Sequence, residues 1–136
     1  MAVSSPNSLY HYTTESSRLA IIESGVLYPS LEREDGRDAL FGSGQYFTNI
    51  APESIAFRSI ADMTSTQIAN GQISLLQLFR RIMAGSVEPD KLSYYIEFDV
   101  GDLEIESTEN PYIYIHRSTI DLNISNLIIR SGETLK

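Results

Sequence analysis

Near the start, Ser8-Leu9-Tyr10-His11-Tyr12-Thr13 is aromatic-rich and bounded by residues that favour caps and turns, which predicts a β-strand. Thr14 is a good helix N-cap, with Glu15 in the first turn, where a negative charge is favoured. Leu19, Ile22 and Val26 then recur three and four apart, which puts them on one helical face, and Gly25 is a plausible terminator. From Pro29 to Gly44 the chain is a long polar loop containing SLEREDGRD, and loops of that length in small domains are usually binding loops or disordered. Gln45-Tyr46-Phe47-Thr48 reads as a short strand leaving Gly42-Ser43-Gly44. Pro52 suits the first turn of a helix running from Glu53 to Asp62, with Ile55, Phe57 or Ile60 inward. Ile73 to Met83 is a second amphipathic helix, carrying Leu75, Leu76, Leu78, Phe79, Ile82 and Met83. After Gly85 the period changes from helical to alternating. Residues 93–100, Leu103 with Ile105, residues 112–115 and residues 127–129 are all β-rich. A strand, a helix, a strand, two helices and then a run of strands predict an α+β fold, not the regular alternation of a parallel sheet.

The 136 residues suffice for one domain that buries roughly two-thirds of its unfolded surface. Residues 1–8 are expected to be a flexible lead-in and 9–136 the single domain. The absence of cysteine excludes a disulfide scaffold, cysteine-type zinc sites and thiol catalysis. Eighteen acids against ten bases give a net charge of −8, which argues against an extended nucleic-acid surface and against docking on an anionic membrane. No apolar run approaches the ~18 residues of a membrane span. The start lacks the basic and apolar regions of a Sec signal peptide, so a soluble chain is expected.

Few residues are available for chemistry. The two histidines, His11 and His116, lie far apart with no ligand spacing between them, so no metal is expected. No serine sits in a nucleophile elbow. His11 lies between Tyr10 and Tyr12, where a histidine can simply be hydrogen-bonded within a sheet. Tyr46 follows two glycines spaced by one residue, a pattern that also fits a bulged hairpin whose tyrosine packs on the core. Gly42-Ser43-Gly44 is too short for a phosphate loop.

Read together, LYHYTTESSRLAIIESGVL and LFGSGQYFTNIAPESIAF resemble the ADP-ribosyltransferases of the His-Tyr-acid branch, which includes diphtheria-type toxins and poly(ADP-ribose) polymerases. The resemblance is strongest to the small bacterial polymorphic-toxin ADP-ribosyltransferases with a His-Tyr-Asp signature. His11 and Gly25 match the strand and helix end of the first family block. Gly42, Gly44, Tyr46, Phe47, Ser54 and Phe57 match the second without a gap. The likeness is good over residues 9–57 and weak beyond. It implies a split β-sandwich with flanking helices around a cleft for NAD, used as co-substrate.

In that reading His11 bonds the adenosine-side ribose. The backbone of Tyr12, with Thr13 beside it, holds the nicotinamide carboxamide, and Ser54 adds a hydroxyl. Tyr46 and Phe57 sandwich the ring, since a planar cation is held well between aromatic faces. Bond cleavage passes through an oxocarbenium-like state that a carboxylate stabilises. The late segment departs from the polymerase pattern: Pro111 stands where the polymerases carry their glutamate. Asp99 is the first candidate for the acid, with Glu97 on its face two residues away, and Glu109 and Asp121 as alternatives. Without the polymerase glutamate, transfer of a single ADP-ribose to a protein or RNA acceptor is implied, in a toxin acting in the cytoplasm or delivered into a target cell. NAD hydrolysis is the alternative within the enzyme class. A non-catalytic NAD-binding module, or an acidic interaction or immunity module, is the alternative outside it.

Charge is also uneven. Between Glu88 and Glu109 eight acids face only Lys91, which suits a solvated sheet face or a surface for a basic partner such as a target or an immunity protein. Arg33, Arg37 and Arg58 flank the implied cleft, where one can meet the NAD diphosphate.

Overall fold

The computed structural model describes residues 7–29, 42–53, 63–71, 74–82 and 89–134. Its elements are β1 (Ser8–Thr13), α1 (Glu15–Ser24), β2 (Val26–Leu27), β3 (Gly44–Thr48), α2 (Ser65–Ala69), α3 (Leu75–Ile82), a 3-10 turn (Pro89–Leu92), β4 (Tyr94–Asp99), β5 (Glu106–Ser107), β6 (Ile113–Arg117), β7 (Leu122–Asn123) and β8 (Ile128–Glu133). Six strands form one antiparallel sheet in the order β5-β6-β3-β1-β4-β8, and β2 pairs with β7 separately. The fold is therefore α+β, and it is compatible with the ADP-ribosyltransferase-like architecture the sequence resemblance implies.

Strand alternation divides the large sheet into two faces. On one, Leu9, Phe47, Ile96 and Phe98 pack with Ile21 of α1, Leu27 of β2, Val100 and Ile124. Phe47 meets Phe98 edge-on, with ring centroids 5.7 Å apart. On the other, Tyr12 packs against Ile50, Leu76 and Phe79 of α3, and Leu92. Apolar surface on both sides of β1 and β4 makes these strands the centre of the molecule.

α1 begins and ends where expected. The Thr14 hydroxyl accepts from the Ser17 N–H, and Gly25 closes the helix in the left-handed region at φ 69°. Its buried face is different. Leu19 and Ile22 are exposed and Ile21 is buried, with Arg18 three residues earlier reaching Ser131 of β8. The turn at Gly25 sets this rotation: its carbonyl accepts from Ile124, and a Cβ there would lie 3.1 Å from that of Ser125.

The boundaries of other elements also shift. β1 starts at Ser8, which pairs with Asp99, and the Asn7 carbonyl before it accepts from the Val100 N–H. The helix expected over Glu53–Asp62 lies outside the described residues apart from Glu53, as does nearly all of the polar stretch after Pro29. The helix expected over Ile73–Met83 is α3, Leu75–Ile82, with Ile73 and Met83 outside the described residues. It starts after Ser74, whose hydroxyl and backbone N–H exchange bonds with Gln77 in a capping box. α2 opens on a similar box, Thr64 with Gln67. Leu103 and Ile105 pack on the core without forming a strand, and β5 follows them.

Gln45 links the two sheets. It is fully buried on β3, and its amide donates to the carbonyls of Leu27 (3.1 Å) and Ile120 (2.9 Å). Gln45→Ala is expected to leave both carbonyls unpaired beside a cavity and to lower unfolding free energy by roughly 2–3 kcal/mol. A urea titration measures this, and an unchanged midpoint would refute the link.

Candidate functional site

His11 sits on the central strand. β1 shares six register pairs with β4, from Ser8↔Asp99 to Thr13↔Tyr94, with His11 opposite Ile96. On its other side β1 joins β3 at Tyr10↔Thr48. Past that pair, the His11 ring hydrogen-bonds the main chain of Tyr46, so the two residues singled out from separate sequence blocks do meet. Burial pushes the imidazole below its ordinary pKa, and the Tyr46 contact opposes this only in part. The ring is therefore neutral at pH 7 and can both donate and accept.

The glycines before Tyr46 have physical reasons. Gly42 has φ 107°, which side-chain-bearing residues rarely adopt. A Cβ on Gly44 would run into the His116 carbonyl and come within 2.9 Å of Ile115 Cγ1. Tyr46 is half-buried opposite Ile115, and its hydroxyl donates to the Gly42 carbonyl (2.5 Å), closing the turn that presents it. Tyr12 donates to the Ile50 carbonyl (2.8 Å) and meets Phe79 edge-on, and burial raises its phenol well above the ordinary range. Thr13 is buried. The Thr48 hydroxyl accepts from Ile50 N–H and donates to the Tyr112 carbonyl, which fixes the exit of β3. Ser54 and Phe57 lie outside the described residues, as do Arg33, Arg37 and Arg58.

The candidate acids separate clearly. Asp99 is exposed at the end of β4, and its carboxylate accepts from the Gly101 N–H (3.0 Å) in a tight turn. It lies three residues beyond the partner of His11, roughly 10 Å along the strand. Glu109 and Asp121 are exposed. Glu97 is the buried one. It lies opposite both Tyr10 and Arg130, and Arg130 Nε donates to its carboxylate at 2.6 Å. The same guanidinium pairs through Nη1 with Glu53, hydrogen-bonds Tyr10 and lies over the Tyr95 ring at 5.2 Å. Glu53 is held below the usual carboxylate range chiefly by this bond, and Arg130 is held protonated by Glu53 and Glu97. Burial raises the Tyr10 phenol, and its bond to Arg130 pulls the other way.

By alternation, Tyr10, Tyr12, Tyr46, Glu97 and Arg130 share one face of the sheet, and His11 projects to the other. β4 is an interior strand, so Glu97 does not line a solvent-facing edge. Arg130 and Arg18 carry charge at this centre and were not recognisable as candidates. A lone arginine in a β-rich run, or on a short helix, has no spacing signature. Part of the acidic excess is neutralised internally, by Arg130 here and by the exposed Arg117–Glu106 pair at the sheet edge.

The family model described as "HYD1 signature containing ADP-ribosyltransferase" matches residues 9–128, from β1 to the first residue of β8. No curated protein and no solved structure matches the chain. Among the described residues, no cluster of three or more His, Asp or Glu side chains is arranged to hold a metal ion, and no helix is long and apolar enough to cross a membrane.

Two outcomes test this geometry. The folded state resists protonating His11, so it binds fewer protons than the unfolded chain below the ordinary value of about 6.5. Stability should therefore fall as pH drops through and below about 6.5, and His11→Asn should flatten that slope in denaturant titrations across pH. Arg130→Ala strands the buried Glu97. It should cost on the order of 2 kcal/mol, less than a fully buried pair because Arg130 is 42% exposed. A urea midpoint equal to wild type would contradict the clamp.

Proposed function

The chain belongs to the HYD1-signature ADP-ribosyltransferases, a toxin family, and from that membership we propose that it transfers one ADP-ribose unit from NAD to a macromolecular acceptor. The observation that carries this reading is the contact between His11 and the Tyr46 main chain, which joins the two family blocks at one point on the central strand. A neutral imidazole suits a ribose hydroxyl, since it can bond without adding charge. Tyr46 offers an aromatic face for the nicotinamide ring, and the Tyr12 main chain beside Thr13 offers the paired donor and acceptor an amide needs. Ser54 and Phe57 complete the pocket in this proposal.

The bond between the ribose anomeric carbon and the nicotinamide nitrogen breaks, and its electron pair leaves with nicotinamide. An acceptor oxygen or nitrogen bonds to the same carbon and gives up its proton. A carboxylate near the developing cation lowers the barrier. Glu97 takes that role here in preference to Asp99. It is buried, it shares a face with Tyr46, and the bond from Arg130 Nε holds it oriented, whereas the Asp99 carboxylate is engaged in a turn. Pro111 at the position of the polymerase glutamate supports a single transfer over chain elongation.

Incubation with labelled NAD, with and without cell lysate, tests the proposal. Label on protein or RNA, with stoichiometric nicotinamide, is the expected result. Free ADP-ribose in buffer alone would point to hydrolysis instead, and no binding of NAD by calorimetry would leave a non-catalytic module. Glu97→Gln should lower turnover by about 100-fold or more with NAD affinity retained, and Asp99→Ala by no more than a few-fold. The reverse pattern would move the acid to Asp99. Loss of activity in His11→Ala and Tyr46→Ala, with the fold intact, is also expected.

A further inference from the structure

Tyr28 and Ile120 are the two most exposed large apolar side chains among the described residues, at 68% and 72%. They lie at one corner of the molecule. Leu27 pairs with Leu122, so Tyr28 and Asp121 follow at the open end of β2 and β7, with Ile120 next in the chain to Asp121. The backbone beneath them is fixed. The buried Gln45 amide donates to the carbonyls of both Leu27 and Ile120. The Ser118 hydroxyl donates to the Ile120 carbonyl and accepts from the Ile120 N–H, both at 3.0 Å. The Ser118 N–H in turn donates to the Ser43 carbonyl, in the glycine turn whose Gly42 carbonyl holds the Tyr46 hydroxyl. Gln45 directly precedes Tyr46, and Ser43 lies three residues before it, roughly 10 Å along the strand. The corner is therefore rigid, apolar and tied to Tyr46.

Large apolar side chains left in water gain free energy when they are covered, and a main chain already fixed has little freedom left to lose on contact. The same corner carries the Asp121 carboxylate, which is exposed and has no ion-pair partner among the described residues. That charge, in a chain of net charge −8, repels a phosphate backbone, and an aliphatic side chain offers one nothing. A protein surface with an apolar contact beside a lysine or arginine complements the corner in both respects. Resting on the transferase reading, we propose that Tyr28, Ile120 and Asp121 dock the protein acceptor of the transfer. Tyr28 and Ile120 are the anchors, and Asp121 selects a partner with a basic rim. The span from Ser43 to Tyr46 is one that an extended acceptor loop covers in about three residues.

Labelled NAD with cell-lysate proteins as acceptors tests this in wild type, a Tyr28→Ser/Ile120→Ser double variant, Ile120→Glu and Ile120→Lys. The double variant is expected to label protein about tenfold more slowly or worse in dilute lysate, and to recover as the lysate is concentrated. That pattern is a raised KM for the acceptor with kcat retained. Its calorimetric affinity for NAD should stay within about twofold of wild type, which also shows that it is folded. Ile120→Lys should label more slowly than Ile120→Glu, because the added cation meets a basic surface. Labelling by the double variant at the wild-type rate overturns the docking surface and leaves the proposed function standing. Label that wild type places on RNA and not on protein does the same. Where the double variant unfolds, the two charged variants decide, and equal rates or the reverse order overturn the assignment. Wild type that binds NAD but labels neither protein nor RNA refutes the proposed function and the docking surface together.

Discussion

The pairing of β1 with β4 is the constraint on which the rest of this molecule depends. Side chains alternate along a strand with period two, so a slip of one residue would carry His11 to the opposite face and turn Leu9 out of the core. Two unlike interactions hold the register. On one face Leu9, Ile96 and Phe98 are fully buried and fill the space beneath α1. On the other, Tyr10 and Glu97 stand side by side and share Arg130, which comes from β8. Apolar packing alone tolerates small sliding. A buried carboxylate with a single well-placed guanidinium does not, because any other register leaves a charge unpaired.

The same pairing divides the chemistry between faces. Arg130 ties Glu53, the last described residue before Ser54, to the centre of the sheet, so the clamp that holds the register also anchors the start of the segment that carries Ser54 and Phe57. Tyr46 is presented by a glycine turn that admits no Cβ at Gly44, and its main chain meets His11 from the neighbouring strand. Arg18 stands on the His11 side and Glu97 on the Tyr46 side.

How much of this was legible varies from residue to residue. β1, β3, β4 and the start and end of α1 follow from alternation, from Thr14 and from Gly25, because these are local preferences that tertiary contacts reinforce. The rotation of α1 did not follow. Leu19 and Ile22 have the right spacing, yet the turn at Gly25 and its contact with the loop at Ile124 bury Ile21 instead. β2 and β7 are two residues each, too short to have a period, and they exist because they pair with one another. Gln45 is a polar residue that links two sheets, and nothing in its neighbours announces that its amide will find two carbonyls.

The candidate site divides in the same way. His11, Tyr46 and the glycines before it can be read from order and spacing, since a strand must hold the ring and only glycine fits the close approach at residue 44. Choosing among Asp99, Glu97, Glu109 and Asp121 was beyond the chain alone, because all four are acids in or near β-rich segments. Burial separates them, and burial depends on which strand lies next to which. So the amino-acid order by itself determined an acidic, cysteine-free α+β chain with two family blocks. Tertiary structure alone decided that Glu97 is enclosed and paired with Arg130, that Asp99 turns a corner, and that Arg18 meets a hydroxyl and a ring where Arg130 meets acids. Each of those depends on the charges and carbonyls of distant residues, and no local preference encodes them.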